Sequence, residues 1–321
     1  MKSAIEQIEY YLPSYSENLN EMKIDNPDWD INEIIKTTGI NKIYISKESI
    51  LDMSVKAANK LFLKNNYKKE NLDFLVLVTQ SPDFPLPTTA CVIQDKLGLK
   101  KECLSFDINQ GCSGYIYGLA ICSSLIQSGL AKSGILICSE KYSKYISKEN
   151  RTCRTIFSDA ASATIINSTK NNILGPFDFG TDGSGYNNLI VPNKEIASQD
   201  SKYKEGEIYM SGSDVFLFTM SKIPKCINNL LNKAEKKIKD IDFFIFHQAS
   251  KLVIDNLQKR LKIPHNKIYN NYSEIGNTIS SSIPIALDQA IKKKLIKKND
   301  TVMFIGFGVG YSWGACLYQH C

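Results

Sequence analysis

Histidine is scarce in this chain, with three residues in 321 and no HExxH pair, which argues against the ligand-rich centre of a zinc hydrolase and against any metal site. The nine cysteines form no CxxC pair and their number is odd, so neither a disulfide framework nor a zinc knot is expected. Cys91, Cys103, Cys122, Cys138 and Cys226 lie inside apolar runs, as reduced, buried thiols do. No apolar run reaches the roughly 18 residues of a membrane span. The opening MKSAIEQIEYYLPSYSENL also lacks the continuous apolar core of a secretory signal, so a soluble cytoplasmic protein without a membrane partner is expected. Basic stripes interleaved with aromatic platforms are missing too, and nucleic acid is not an expected partner. There is no Gly/Ser- or Pro-rich linker to separate the chain into independent bodies.

What is present is ample core material: 43% hydrophobic and 22% charged residues. The net charge of +6 comes from 39 basic against 33 acidic residues. The lysines are scattered, a solvated basic surface that suits an acidic partner without demanding one. The densest run, IKKKLIKKND (291–300), reads as the exposed end of a helix, with cations where the helix dipole favours them.

The two halves follow one plan. The strand-like DFLVLVTQ (73–80) is repeated in design by DFFIFHQA (242–249). Each is followed by small residues opening an amphipathic helix, SGYIYGLAICSSLIQSGL in the first half and GNTISSSIPIALDQAI in the second. Each helix feeds a buried strand, GILICSE (134–140) or TVMFIGFG (301–308). The simplest account is a duplicated strand–turn–helix–strand unit, with halves at 1–170 and 171–321. Continuous apolar strands alternating with helices predict an α/β fold whose sheets are covered on both faces.

Three polar residues occupy related positions in these units. Cys112, in Gly-Cys-Ser-Gly, sits where a strand gives way to a helix; a thiol there is expected to gain thiolate character from the dipole. His247 ends the apolar run DFFIFH, where a lone histidine reads as a hydrogen-bonded core residue. Asn277 opens the second-half helix and reads, taken alone, as an N-cap. Any one of the three is a weak signal; Cys, His and Asn together at symmetry-related strand and helix ends are a much stronger sign of a functional site. GFGVGYSWG (306–314) is not a GxGxxG nucleotide loop, since Tyr311 stands where the last glycine belongs. Such a loop after a buried strand can instead bring a backbone N–H toward a reacting carbonyl.

DINQGCSGYIYGLA, HQAS, GNTISSSIPIAL and GFGVGYSWGA resemble the ordered signatures of the β-ketoacyl-acyl carrier protein synthase III family of the thiolase superfamily, and the similarity runs nearly end to end. The resemblance implies the five-layered αβαβα thiolase fold and a homodimer. It also implies a decarboxylative Claisen condensation: Cys112 holds the acyl group, and His247 and Asn277 stabilise the enolate of a malonyl thioester on acyl carrier protein. The backbone N–H groups of Cys112 and Val309 form the oxyanion hole. Phe307 walls the site beside the departing carboxylate, and a partner subunit's Leu86 caps the acyl pocket. Arg151 meets coenzyme A, and Lys259 and Arg260 dock the carrier protein. No cofactor is implied; thioesters of CoA or phosphopantetheine are the substrates. Some positions depart from the pattern: Glu33 stands where a tryptophan stacks on adenine, with Trp29 four residues away, while Thr37 and Leu252 replace arginines. These changes favour a larger or carrier-bound donor over acetyl-CoA. The runner-up function is an acyltransferase or thioesterase that passes the acyl-cysteine group to an oxygen, a nitrogen or water. A third reading is a subunit that only binds acyl chains.

Overall fold

The computed structural model describes residues 2–64, 67–170 and 174–320. Strands β1 (Lys2–Tyr11), β2 (Phe74–Val78), β3 (Leu104–Ile108), β4 (Ser133–Glu140) and β5 (Ala160–Thr169) make a five-stranded sheet in the order β1-β5-β4-β2-β3. Strands β6 (Leu174–Thr181), β7 (Phe243–Phe246), β8 (Thr301–Gly308) and β9 (Ser312–Gln319) make a four-stranded sheet in the order β7-β8-β9-β6. Both sheets repeat one pairing scheme. β2 runs parallel to β4, as β7 does to β8; the next two strands are antiparallel in each sheet.

The period-two alternation of strand side chains creates the layers. Phe74, Val76 and Val78 face one way, and meet Phe243, Ile245, Val302 and Phe304 of the other sheet across two central helices, α3 (Gly114–Gln127) and α6 (Ser282–Lys292). Leu75 and Leu77 face the opposite way, onto α1 (Ile50–Lys64) and α2 (Thr89–Leu97). Phe244, Phe246, Met303 and Ile305 pack on α4 (Gly212–Lys233) and α5 (Lys251–Leu261). The result is helix–sheet–helix–sheet–helix, the expected αβαβα stack. Helix α3 is apolar nearly all round, as a helix between two sheets must be.

One local expectation needs correction. Asn277 does not open the second-half helix, because α6 begins at Ser282 after a short 3₁₀ turn, Ile279–Ser281. The cause is local: the Asn277 side chain accepts the N–H of Ile279 at 2.9 Å, closing a turn on itself, and Ile279 adopts φ 53. The lysine run 291–300 lies, as expected, at the C-terminal end of α6, with Lys292 in the last turn and Lys293 at the cap, and continues beyond it as turn, where Lys294 and Asn299 take positive φ. No helix among the described residues is long and apolar enough to cross a membrane.

Candidate active site

Cys112 lies in the turn between β3 and α3, two residues before the first helical residue, and is 5% exposed. Its glycine neighbours are required by close approach. A side chain at Gly111 would collide with Gln80, and one at Gly114 with Val78. The end of β8 presses on the same turn: a Cβ at Gly306 would stand 2.9 Å from the Cys112 carbonyl oxygen, and one at Gly308 would stand 2.8 Å from Cys112 Cβ. The glycines of IGFG therefore let a strand of the second half touch the Cys112 turn of the first.

The dipole does not make Cys112 a resting thiolate. Burial pushes its thiol well up, the Glu140 carboxylate adds to this, and its own N–H only partly opposes them. The expectation of thiolate character is thus corrected: the sulfur rests as a thiol.

His247 follows β7 and is 2% exposed; burial lowers it to about 3, so it is neutral across the physiological range. Its Nδ1 lies 2.7 Å from Ser282 Oγ, the first residue of α6, and its ring meets Phe307 edge-on at 5.5 Å between centroids. Ser282 Oγ also reaches the Ile279 carbonyl at 2.9 Å. When the hydroxyl donates to that carbonyl it accepts from Nδ1–H; when it turns to donate to Nδ1, the proton resides on Nε2, which faces Asn277. One hydroxyl can therefore serve either neutral tautomer.

Asn277 Nδ2 stands 3.4 Å from His247 Nε2. Its Oδ1 is held by the Ile279 N–H, which leaves the amide nitrogen directed at the histidine. Its backbone is gripped by the other half: Asn277 N–H donates to the Ile156 carbonyl at 2.9 Å, and Ser158 N–H donates to the Asn277 carbonyl at 2.8 Å. Ile279, fully buried and β-branched, holds a left-handed conformation beside these groups, a strained residue at the point where the amide is aimed.

Cys112, His247, Asn277 and Phe307 line one cavity of about 240 Å³, walled otherwise by residues such as Phe157, Leu189, Met210 and Val215 and by Leu252 and Val253 from the start of α5. A thiol, a neutral imidazole and a carboxamide thus face a single, mostly apolar chamber. Among the described residues no three His, Cys, Asp or Glu side chains gather as a metal site would need.

Two sequence profiles of 3-oxoacyl-[acyl-carrier-protein] synthase III match, the main one over residues 106–183 and its C-terminal companion over residues 231–320. The chain is 37% identical over 312 residues to the β-ketoacyl-[acyl-carrier-protein] synthase III of Clostridium perfringens, covering 95% of this chain and 94% of that one. Identity to the Fusobacterium nucleatum protein of the same name is 36%, over 97% and 96% of the two chains. The chain belongs to the β-ketoacyl-[acyl-carrier-protein] synthase III family. A crystal structure of a 3-oxoacyl-(acyl-carrier-protein) synthase III superposes with a TM-score of 0.95 at 35% identity, over 99% of this chain and all of that one. The fold of this synthase III is accordingly the thiolase-like αβαβα architecture.

Of the remaining residues named from the resemblance, Thr37 and Leu252, which replace arginines, line the cavity, and the others fall around it. Val309 packs in the same cluster as Cys112, just past the end of β8, and lines a neighbouring cavity of about 220 Å³ with Gln80, Tyr142, Tyr145 and Ile208. Arg151 is exposed and outside the main chamber, although Thr152 beside it is part of the lining. Leu86 is 81% exposed and does not line the Cys112 chamber of its own chain. Lys259 and Arg260 are exposed at the far end of α5, whose near end reaches the chamber through Leu252 and Val253. Glu33 is exposed, paired with Lys36 at 3.1 Å, while Trp29 is packed partly buried against the outer core and is not an open stacking face.

Sequence reasoning overlooked Ser282, Ser280 and Glu140. The run TISSSIP reads as a helix opening, and only its contacts show that each serine hydroxyl has a separate task. Glu140 closes the apolar strand GILICSE, where an acidic residue reads as an exposed strand end; it is fully buried.

Proposed function

We propose that this synthase III catalyses a decarboxylative Claisen condensation in which an acyl thioester is joined to malonyl-acyl carrier protein, giving a β-ketoacyl carrier protein, carbon dioxide and a free thiol. Cys112 sulfur attacks the acyl carbonyl while its proton leaves with the departing thiol, CoA or phosphopantetheine. The oxyanion of that step is met by the N–H groups of Cys112 and Val309. Malonyl-acyl carrier protein then enters; its carbon–carboxylate bond breaks, and the electron pair becomes the enolate of its thioester. His247 Nε2–H and Asn277 Nδ2–H donate to the enolate oxygen. The enolate carbon attacks the acyl-cysteine carbonyl, the new carbon–carbon bond forms, and Cys112 is expelled as a thiolate that takes one proton from solvent to regain its resting thiol. Buried, neutral His247 suits this role because it donates without carrying a charge into an apolar chamber. Phe307, against the histidine ring, offers the malonyl carboxylate an apolar wall, which favours its loss as neutral carbon dioxide. No bound cofactor is needed for these steps.

The observation that carries the proposal is the pair of nitrogens, Asn277 Nδ2 and His247 Nε2, set 3.4 Å apart in the chamber that also contains Cys112. Acyl transfer alone has no enolate for such a pair to stabilise. Labour is divided between halves 1–170 and 171–321, nucleophile in the first and donors in the second. Lys259 and Arg260 receive the acidic carrier protein. A second copy of the chain covers the free edge of β3, where Leu104 is 49% exposed, and brings its exposed Leu86 to the acyl pocket.

The test is intact-protein mass spectrometry with a panel of acyl-CoA and acyl-carrier thioesters, followed by peptide mapping and malonyl-acyl carrier protein turnover. An acyl adduct on Cys112 followed by carbon dioxide release and a β-ketoacyl product supports the proposal. An adduct on Cys103, Cys122 or Cys153, or transfer of the group to water without carbon dioxide release, overturns it.

A further inference from the structure

Behind the chamber lies a carboxylate that the condensation does not use. Glu140, the last residue of β4, is 0% exposed. Its Oε2 accepts the Gln80 N–H at 3.1 Å and the Ser81 hydroxyl at 2.9 Å, both from the loop that follows β2. Its Oε1 accepts the Ser280 hydroxyl at 2.9 Å, from the turn that follows Asn277. Two of these partners reach the Cys112 turn. The Gln80 side chain packs against Gly111, immediately before Cys112, and takes a hydrogen bond from Tyr142 at 2.7 Å. Ser280 lies against the backbone of Gly114 on the far side of the same turn, its Cβ 3.6 Å from where a Gly114 Cβ would stand. One buried side chain therefore ties the support of the nucleophile to the support of the amide donor, across the boundary between the two sheets.

We propose that Glu140 is a positioning residue for the condensation: it fastens the loop behind Cys112 to the turn behind Asn277, and it places a titratable carboxyl in the field of the Cys112 thiol. This rests on the reading of Cys112 as nucleophile. A hydrogen-bonded bracket alone would be served by an amide; a carboxyl adds a charge that appears and disappears with pH.

The physical consequence follows from the groups around it. Burial raises the Glu140 carboxyl to about 8, against the hydrogen bonds of Gln80, Ser280 and Ser81 and the charge of Lys144. The titratable groups that feel it are Cys112 from the turn, Cys138 on its own strand, and Tyr142, Lys144 and Tyr145 from the segment after β4. Below its titration the carboxyl is neutral and leaves the thiol alone. Above it, the carboxylate opposes a second negative charge on sulfur, so the two ionise anticooperatively.

Alkylation of Cys112 in the resting enzyme reads this directly and needs no substrate, so it can fail or succeed independently of the condensation. Iodoacetamide inactivation is followed by intact mass over roughly pH 6.5 to 9.5, where the thiolate fraction limits the rate, with mapping of the adduct. In the wild type, log rate rises with pH and bends to a shallower slope near the Glu140 titration. In Glu140→Gln, whose amide oxygen accepts from Gln80 and Ser81 while its N–H donates to the Ser280 hydroxyl, the charge is gone, the line stays straight and the rate above the bend is higher by about threefold to tenfold, the effect of a half to one pKa unit. Ser280→Ala removes one bond to the charged form and leaves the carboxyl in place; its bend moves to higher pH. It is also the arm that decides if Glu140→Gln fails to fold. Superimposable profiles for wild type and Glu140→Gln, or a bend that stays in place in Ser280→Ala, overturn the proposal.

Discussion

The two halves share a scheme but support their working residues differently. In the first, β3 is a full strand of five residues paired along β2, and only three residues separate its end at Ile108 from Cys112. In the second, the counterpart of β3 has shrunk to a single bridge, Phe244 to Ile268, and Asn277 comes nine positions later. Cys112 is thus placed by its own sheet. Asn277 lacks that support and is held by bonds to the first half, through Ile156, Ser158 and the Glu140–Ser280 contact.

If that division is real, substitutions in the second half should strike one half-reaction. The largest effect is expected from His247→Ala: malonyl decarboxylation, measured as carbon dioxide release, falls by ~10² to 10³, the usual loss when such a donor is removed. Self-acylation of Cys112 falls far less. Because burial holds His247 near 3, acidifying from the neutral range toward pH 5 should not protonate it in the folded enzyme, and decarboxylation should show no inflection at the ordinary histidine value near 6.5.

Gly308→Val breaks the rule in an informative direction, since it sits in the second half but presses on the first-half turn. Its side chain would enter the 2.8 Å gap to Cys112 Cβ. Acylation should fall by ~10², as a displacement of about 1 Å at a reacting atom can cost. Gly183→Ala, with open space around it, is the control and should stay within ~0.5 kcal/mol in stability. Acylation unchanged in Gly308→Val would show that the turn yields.

Ser282→Ala is a smaller and sharper perturbation. It removes the partner that can hold His247 in the Nε2–H tautomer but leaves the ring in place, so decarboxylation should slow by roughly tenfold, about the worth of one buried hydrogen bond. Acylation should hardly change; equal losses in both would mean that the hydroxyl only supports packing. The smallest effect is expected at the surface. Lys259→Glu with Arg260→Glu should raise KM for carrier-protein substrates a few-fold, chiefly at low salt, and leave CoA thioesters unaffected. Identical loss with both substrate types would place the fault in folding rather than docking.

Much of this was legible from residue patterns. The alternation in FLVLV and FFIF, repeated with small residues before each central helix, carries the layered architecture, because strands covered on both faces need apolar residues at every position. Cys112 and His247 could be read because each interrupts such a pattern at a strand end. The setting of Asn277 could not, since its aim depends on the left-handed Ile279 and on backbone bonds to residues more than a hundred positions away. The thiol's protonation was also misread: a helix N-terminus is visible in sequence, whereas full burial beside Glu140 is a property of the folded chamber. Serine hydroxyls at 280 and 282 are alike on paper and become distinct only through their partners.

The proposed roles, Cys112 for acyl loading and His247 with Asn277 for decarboxylation, are separated by one paired measurement. Wild type, Cys112→Ala and Asn277→Ala are each assayed for acyl loading by intact mass and for carbon dioxide release from malonyl-acyl carrier protein. The account predicts that Cys112→Ala loads nothing yet still releases carbon dioxide, and that Asn277→Ala still loads Cys112 but loses carbon dioxide release by ~10² or more. Carbon dioxide release undiminished in Asn277→Ala, or both activities lost together in each variant, would contradict it.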